Sequence, residues 1–183
     1  MRAYIIVEGQ GDARILRALL PDELLEDTEI VSAGGASAAK SLARSLLVRR
    51  QTPVAIVMDA DSVAPERIQE CRQSIEEVVE SVAGGVPVKA VVAAPAMEVV
   101  LFHDETMLAR VFGQGLSEHL LSLARIQPQD ALKKLFDQSD HVKNLDDILN
   151  SLTRQEIQTL QRSSILQELI AFLQTTREFT TSS

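Results

Sequence analysis

The chain has 183 residues, 45% hydrophobic and 24% charged, a globular mix long enough to bury ~70% of its unfolded surface without disulfides or structural metal. Its 18 Lys and Arg stand against 26 Asp and Glu, and the net charge of −8 excludes a small basic domain that coats nucleic acid by phosphate attraction alone. One Tyr, five Phe and no Trp, scattered along the chain, exclude a base-stacking platform.

Ala3–Val7 is an unbroken apolar run rich in β-branched residues, which predicts a buried strand and is too short for a signal h-region. Ile15, Leu16, Leu19 and Leu20 then recur at helical spacing and stop at Pro21. Thr28–Ser32 reads as a second strand, ended by Gly34-Gly35. From Ser37 to Arg50, Ala39, Leu42, Ala43, Leu46 and Leu47 share one helical face, with Lys40, Arg44 and Arg49 off it. Pro53–Met58 is continuously apolar, as a parallel strand covered on both faces requires. Pro65 to Ala83 predicts a long helix with Ile68, Cys71, Ile75, Val78, Val79 and Val82 inward, closed by Gly84-Gly85. Pro87–Ala94 is a fourth strand, in which Lys89 points to a sheet edge. After His103 only helical stripes remain, broken at Gly113-Gln114-Gly115, at Pro128 and around Asn150, with fraying expected over Phe179–Ser183.

This alternation predicts an α/β fold: a four-stranded, mainly parallel sheet with right-handed crossovers and helices on both faces. Residues 1–103 form the α/β domain, and residues 104–183 a helical extension packed on it. The sole cysteine, Cys71, excludes an internal disulfide and a thiolate metal cage, and is expected as a half-buried small residue. No stretch of about 18 apolar residues occurs, so the expectation is a cytoplasmic protein without a membrane span.

Sites on parallel sheets lie beyond the carboxyl ends of the strands. There this sequence concentrates acids: Glu8 and Asp12 after the first strand, Asp59 and Asp61 after the third, and Glu98 after the fourth. Carboxylates gathered in this way repel one another unless a cation lies between them, and hard oxygen donors suit Mg²⁺ or Mn²⁺ rather than zinc. Taken singly, Asp12 could cap the following helix and Glu98 could complement a helix dipole. The pair Asp59-Ala60-Asp61 is harder to explain by capping, which needs only one acid.

Ile5-Ile6-Val7-Glu8-Gly9, followed by Val57-Met58-Asp59-Ala60-Asp61-Ser62, resembles the Toprim domain over residues 3–103. That domain carries a Glu after its first strand and an Asp-x-Asp after its third, and occurs in topoisomerases, primases, small ribonucleases and nucleases of the overcoming-lysogenisation-defect (OLD) type. The form Glu8-Gly9-x-x-Asp12, the step Ala33-Gly34-Gly35 and the further acid Glu98 are most similar to the OLD-type nucleases and related stand-alone proteins. The resemblance implies a Toprim-like, Rossmann-like sheet and a Mg²⁺-dependent (or Mn²⁺-dependent) nuclease acting on DNA or RNA. In that reading Glu8, Asp59 and Asp61 are catalytic and metal-holding, with Asp12 and Glu98 completing a second ion's shell. Ser62-Val63-Ala64-Pro65-Glu66 departs from the Gly-Glu continuation of topoisomerase and primase members, which argues against strand passage and primer synthesis. OLD-type enzymes usually carry a fused ATPase; with no Walker A sequence here, any ATPase would be a separate partner polypeptide.

Gly34, Gly35, Ser37 and Lys40 form a candidate phosphate site: glycines free the backbone, Ser37 can cap the helix, and Lys40 can neutralise charge. A Rossmann dinucleotide fingerprint fails at Arg14, and His103, His119 and His141 have no ligand-like spacing. Two alternatives to the nuclease stay open. One is a non-catalytic metal- or nucleotide-binding Toprim-like module, or partner subunit of a separate ATPase, favoured by the missing basic channel. The other is a metal-dependent phosphatase on small phosphoesters. The oligomeric state is open.

Overall fold

The computed structural model describes residues 3–181. Four strands, β1 (Ala3–Val7), β2 (Thr28–Ser32), β3 (Val54–Asp59) and β4 (Val88–Ala93), form one all-parallel sheet in the order β2-β1-β3-β4. The connections are helical: α1 (Gln10–Leu19) and the short α2 (Asp22–Leu25) join β1 to β2, α3 (Ala36–Arg50) joins β2 to β3, and α4 (Pro65–Ala83) joins β3 to β4. β4 is an edge, as Lys89 predicts, and Lys89 Nζ meets Glu168 at 3.3 Å.

Both faces of the sheet are buried, and the two-residue period of the strands divides their side chains between two cores. Ala3, Ile5 and Val7 of β1, Ala55 and Val57 of β3, and Val91 and Ala93 of β4 point to one side. Tyr4, Ile6, Val54, Ile56, Met58, Ala90 and Val92 point to the other, where α3 and α4 supply Ala39, Ala43, Leu46, Leu47, Ile75 and Val79. Cys71 is half-buried on that side.

The first side is covered by α1 and by everything after β4. A 3₁₀ segment (Met97–His103) leads into α5 (Glu105–Phe112), α6 (Glu118–Ile126), α7 (Pro128–Gln138), α8 (Leu145–Leu149), α9 (Arg154–Leu160) and α10 (Ser164–Thr181). Their breaks fall where the sequence places them: Gly113 closes α5 with φ +69°, a left-handed conformation that glycine adopts freely, and Pro128 opens α7. Met97, Leu101, Leu108, Leu135, Leu166 and Leu169 join Ile5, Val7, Leu16 and Val57 in one continuous core. The helical region therefore shares a core with the sheet, and truncating a fully buried member such as Leu108 to Ala would cost about 2–5 kcal/mol.

Two sequence expectations change. α10 continues through Thr181, so the end expected to fray is helical that far; residues 182 and 183 lie outside the described residues. α3 begins at Ala36 and takes Gly35 (φ +138°) as its N-cap, so Ser37 sits inside the first turn, exposed, and does not cap. Among the described residues, no helix is long and apolar enough to cross a membrane.

Candidate metal centre

Beyond the carboxyl ends of β1, β3 and β4, backbone and side-chain bonds hold the acids in place. Glu8 directly follows β1, and its Oε1 accepts the Asp59 N–H at 3.0 Å, linking the ends of two neighbouring strands. Asp12 stands in the first turn of α1, where Oδ2 accepts the Gly9 N–H at 3.0 Å. It is thus not the N-cap itself; it closes the turn from inside the helix.

Asp59 is the last residue of β3, and its Oδ1 accepts the Met97 N–H at 3.0 Å at the start of the 3₁₀ segment. Two backbone bonds run beside it, Ala60 N–H to Ala93 O (2.8 Å) and Asp61 N–H to Pro95 O (2.9 Å). Together they strap the chain leaving β3 to the chain leaving β4, which delivers Glu98. Glu98 in turn receives the Gln129 side-chain amide of α7, 3.3 Å from each carboxylate oxygen.

One carboxylate oxygen from each of Asp12, Asp59 and Glu98 lies within 4.8 Å of the others. Each comes from a different element, so the convergence is tertiary and no single turn explains it. Glu8 stands beside this triad, close enough to repel Asp59. Asp61 does not join it: it is exposed, with φ +53°, and it lines a pocket of about 240 Å³ with Pro95, Ala96, Ile126 and Gln129. Asp tolerates this left-handed conformation better than most residues.

Among the described residues none of Glu8, Asp12, Asp59 and Glu98 forms an ion pair. Their protonation reflects this. Asp59 is pushed up to about 8, by burial first and then by the charges of Asp12, Glu98 and Glu8. Glu8, Asp12 and Glu98 are also raised, in each case mainly by burial. The Met97, Gly9 and Gln129 donors pull the other way and favour the ionised forms. The Cys71 thiol, 3.9 Å from the Asp59 carbonyl oxygen, is likewise pushed up by burial and the nearby acids.

Three converging carboxylates with no ion-pair partner among the described residues fit a hard divalent ion such as Mg²⁺ or Mn²⁺, which takes oxygen ligands. Lys40, reaching in from α3, acts on Glu8 in the opposite sense to burial and favours its ionised form. Lys40 Nζ donates to Ser74 Oγ on α4, so the lysine is held between two helices. Gly34 and Gly35 lie at the same edge, where Gly34 N–H donates to Glu8 O at 2.9 Å. Gln129 and Ser74 escape the sequence reading, because their partners are distant in the chain and neither residue carries a motif.

No protein-family model and no curated protein matches this sequence. Comparison with solved structures gives a consistent answer. The C-terminal region of the Xanthomonas campestris pv. campestris OLD protein, phased with iodine, superposes with a TM-score of 0.57 at 14% identity, covering 100% of this chain and 98% of that one. The C-terminal region of the Burkholderia pseudomallei OLD protein gives 0.52 at 15% identity, over 97% and 98% of the two chains. The likeness extends through the helices after β4 as well as the sheet, and this chain has the Toprim-like α/β fold seen in the C-terminal region of OLD proteins.

Proposed function

We propose that this protein is a divalent-metal-dependent nuclease that hydrolyses nucleic-acid phosphodiesters. The observation that carries the reading is the convergence of Asp12, Asp59 and Glu98 at the carboxyl edge of a parallel sheet, with no cation paired to them among the described residues. The OLD-like fold supports it. Asp12, Asp59 and Glu98 would hold Mg²⁺ or Mn²⁺, and Asp61, at the neighbouring pocket, would face a second ion or the substrate. When bound, such an ion activates water and neutralises charge on a phosphodiester under attack.

The chain's own residues supply the rest. Burial raises the Glu8 carboxyl, and Asp59 N–H occupies Oε1. Oε2 is therefore the atom to exchange a proton with the attacking water or the leaving oxygen. Lys40 and the backbone N–H groups of Gly35 and Ser37 at the start of α3 would receive a substrate phosphate, with the Gly34 N–H committed to Glu8 O. The reading places the activity in the cytoplasm, and a separate ATPase polypeptide enters it only through the OLD resemblance.

A second reading, a metal-binding module that does not turn over, is favoured by the net charge of −8, which leaves little to grip a polyanion. One experiment separates them: cleavage of plasmid, single-stranded DNA and RNA with Mg²⁺ or Mn²⁺, beside Mn²⁺ titration of the same preparations. Cleavage by wild type that is lost in Asp59→Asn and Asp12→Ala supports the nuclease. Equal residual cleavage in all three preparations sinks it, and Mn²⁺ uptake without cleavage selects the binding module.

A further inference from the structure

We infer that Gln129, on α7 of the helical region, is a positioning residue of the metal centre: it fixes the Glu98 carboxylate for divalent-metal binding. The inference rests on the metal reading above. Gln129 Nε2 lies 3.3 Å from both Glu98 oxygens, so one amide spans the whole carboxylate. Its orientation is settled by chemistry, since the amide oxygen in that place would face two carboxylate oxygens and repel them.

The donor is itself held firmly. α7 starts at buried Pro128, and Ala131, Leu132 and Leu135 anchor it in the core that contains Met97, Val100 and Leu101 of the 3₁₀ segment. Gln129 therefore stands at a place set by core packing, while its side chain is exposed in the wall of the pocket beside Asp61. Glu98 is presented from a 3₁₀ segment, without the regular ladder that fixes Asp59. A donor across both oxygens restricts its rotation and favours the ionised form that a metal needs. The helices after β4 thereby take part in the site, adding a donor from α7 to the backbone bond that Glu98 makes within its own segment.

The test is Mn²⁺ affinity by titration calorimetry, with melting of the metal-free protein as a second readout. Gln129→Leu keeps the bulk and removes the donor; Gln129→His keeps an N–H at similar reach. Gln129→Leu should bind Mn²⁺ roughly 10- to 100-fold more weakly, the range for lost outer-shell partners. Its metal-free melting should change little, because the side chain is exposed. Gln129→His should recover most of the affinity. If Gln129→Leu binds like wild type, or Gln129→His is as weak as Gln129→Leu, the inference fails while the metal reading stands. Wild type that takes up no Mn²⁺ overturns both.

Discussion

The strand-end carboxylates and the carboxylate of the Arg110–Glu156 pair are the same chemical group, yet their protonation is driven in opposite directions. Glu156 meets Arg110 through two bonds, Nε to Oε1 at 2.6 Å and a terminal guanidinium nitrogen to Oε2 at 2.7 Å. Oε2 also accepts the Thr153 N–H in a capping box at the start of α9. Its pKa is lowered, chiefly by the arginine. At the strand ends, Asp59 has a single backbone donor, three acidic neighbours and partial burial, and it is raised to about 8. The first arrangement is complete within the chain. The second is complete only when a proton or a cation is added, and that difference separates a structural charge cluster from a receptive one.

The largest effect expected from this contrast is on activity. Asp59→Asn keeps an Oδ1 acceptor for Met97 N–H but removes the charge, and metal-dependent cleavage should fall by on the order of 10²–10³-fold in a plasmid assay. Without metal the same variant should melt higher than wild type at pH 8, since one member of a repelling group is gone. A variant that melts lower would show that Asp59 is structurally satisfied like Glu156, and the contrast would break.

The next effect is on stability against pH. Asp59 binds its proton more tightly in the folded than in the unfolded chain, so the folded state holds extra protons between about pH 4 and 8. Stability from this cluster is full below pH 4 and falls as pH rises through that window, by on the order of a few kcal/mol. Mn²⁺ should cancel the fall. Thermal melts of metal-free protein at pH 5 and pH 8.5 check it; an equal drop in Asp59→Asn would assign the effect to other groups. Glu156 behaves oppositely: its contribution is present above its ordinary value of 4.5 and is lost as pH falls through the lowered folded value.

How much of the centre was legible beforehand follows from what is local. Glu8 and Asp59 were readable because an apolar strand followed by an acid fixes which end of the sheet the acid occupies, and the four strands and the Lys89 edge followed from the same patterns. Which acids converge was not readable. Alternation carries no information about the left-handed turn at Asp61 or about the Asp59–Met97 bond that brings the 3₁₀ segment close. Gln129 was invisible for a further reason: its meeting with Glu98 depends on how α7 docks, and amphipathic stripes give the buried face of a helix without its partner. The Ser37 cap failed because two glycines let α3 start earlier, with Gly35 as its N-cap.

The smaller effects test the satisfied side of the contrast. Arg110→Ala removes both bonds to Glu156 and one to Ser151 O, but the capping bond from Thr153 survives. About 1 kcal/mol should be lost in urea unfolding, with cleavage and Mn²⁺ affinity unchanged. Smaller still is Arg14, which pairs with Asp146 at 2.9 Å with both side chains roughly half exposed. Arg14 stands two residues beyond Asp12, on the outward face of α1, where Ala13, Ile15 and Leu16 face the core. If charge near the triad were what mattered, removing this cation would weaken metal binding or shift Asp59 further. Orientation argues otherwise: its guanidinium is committed to Asp146 and acts through solvent. Arg14→Ala should change stability by no more than about 0.5 kcal/mol and leave Mn²⁺ affinity unaltered. A clear change in affinity would mean that the triad feels the surrounding surface, and that its want of a cation is less local than its geometry implies.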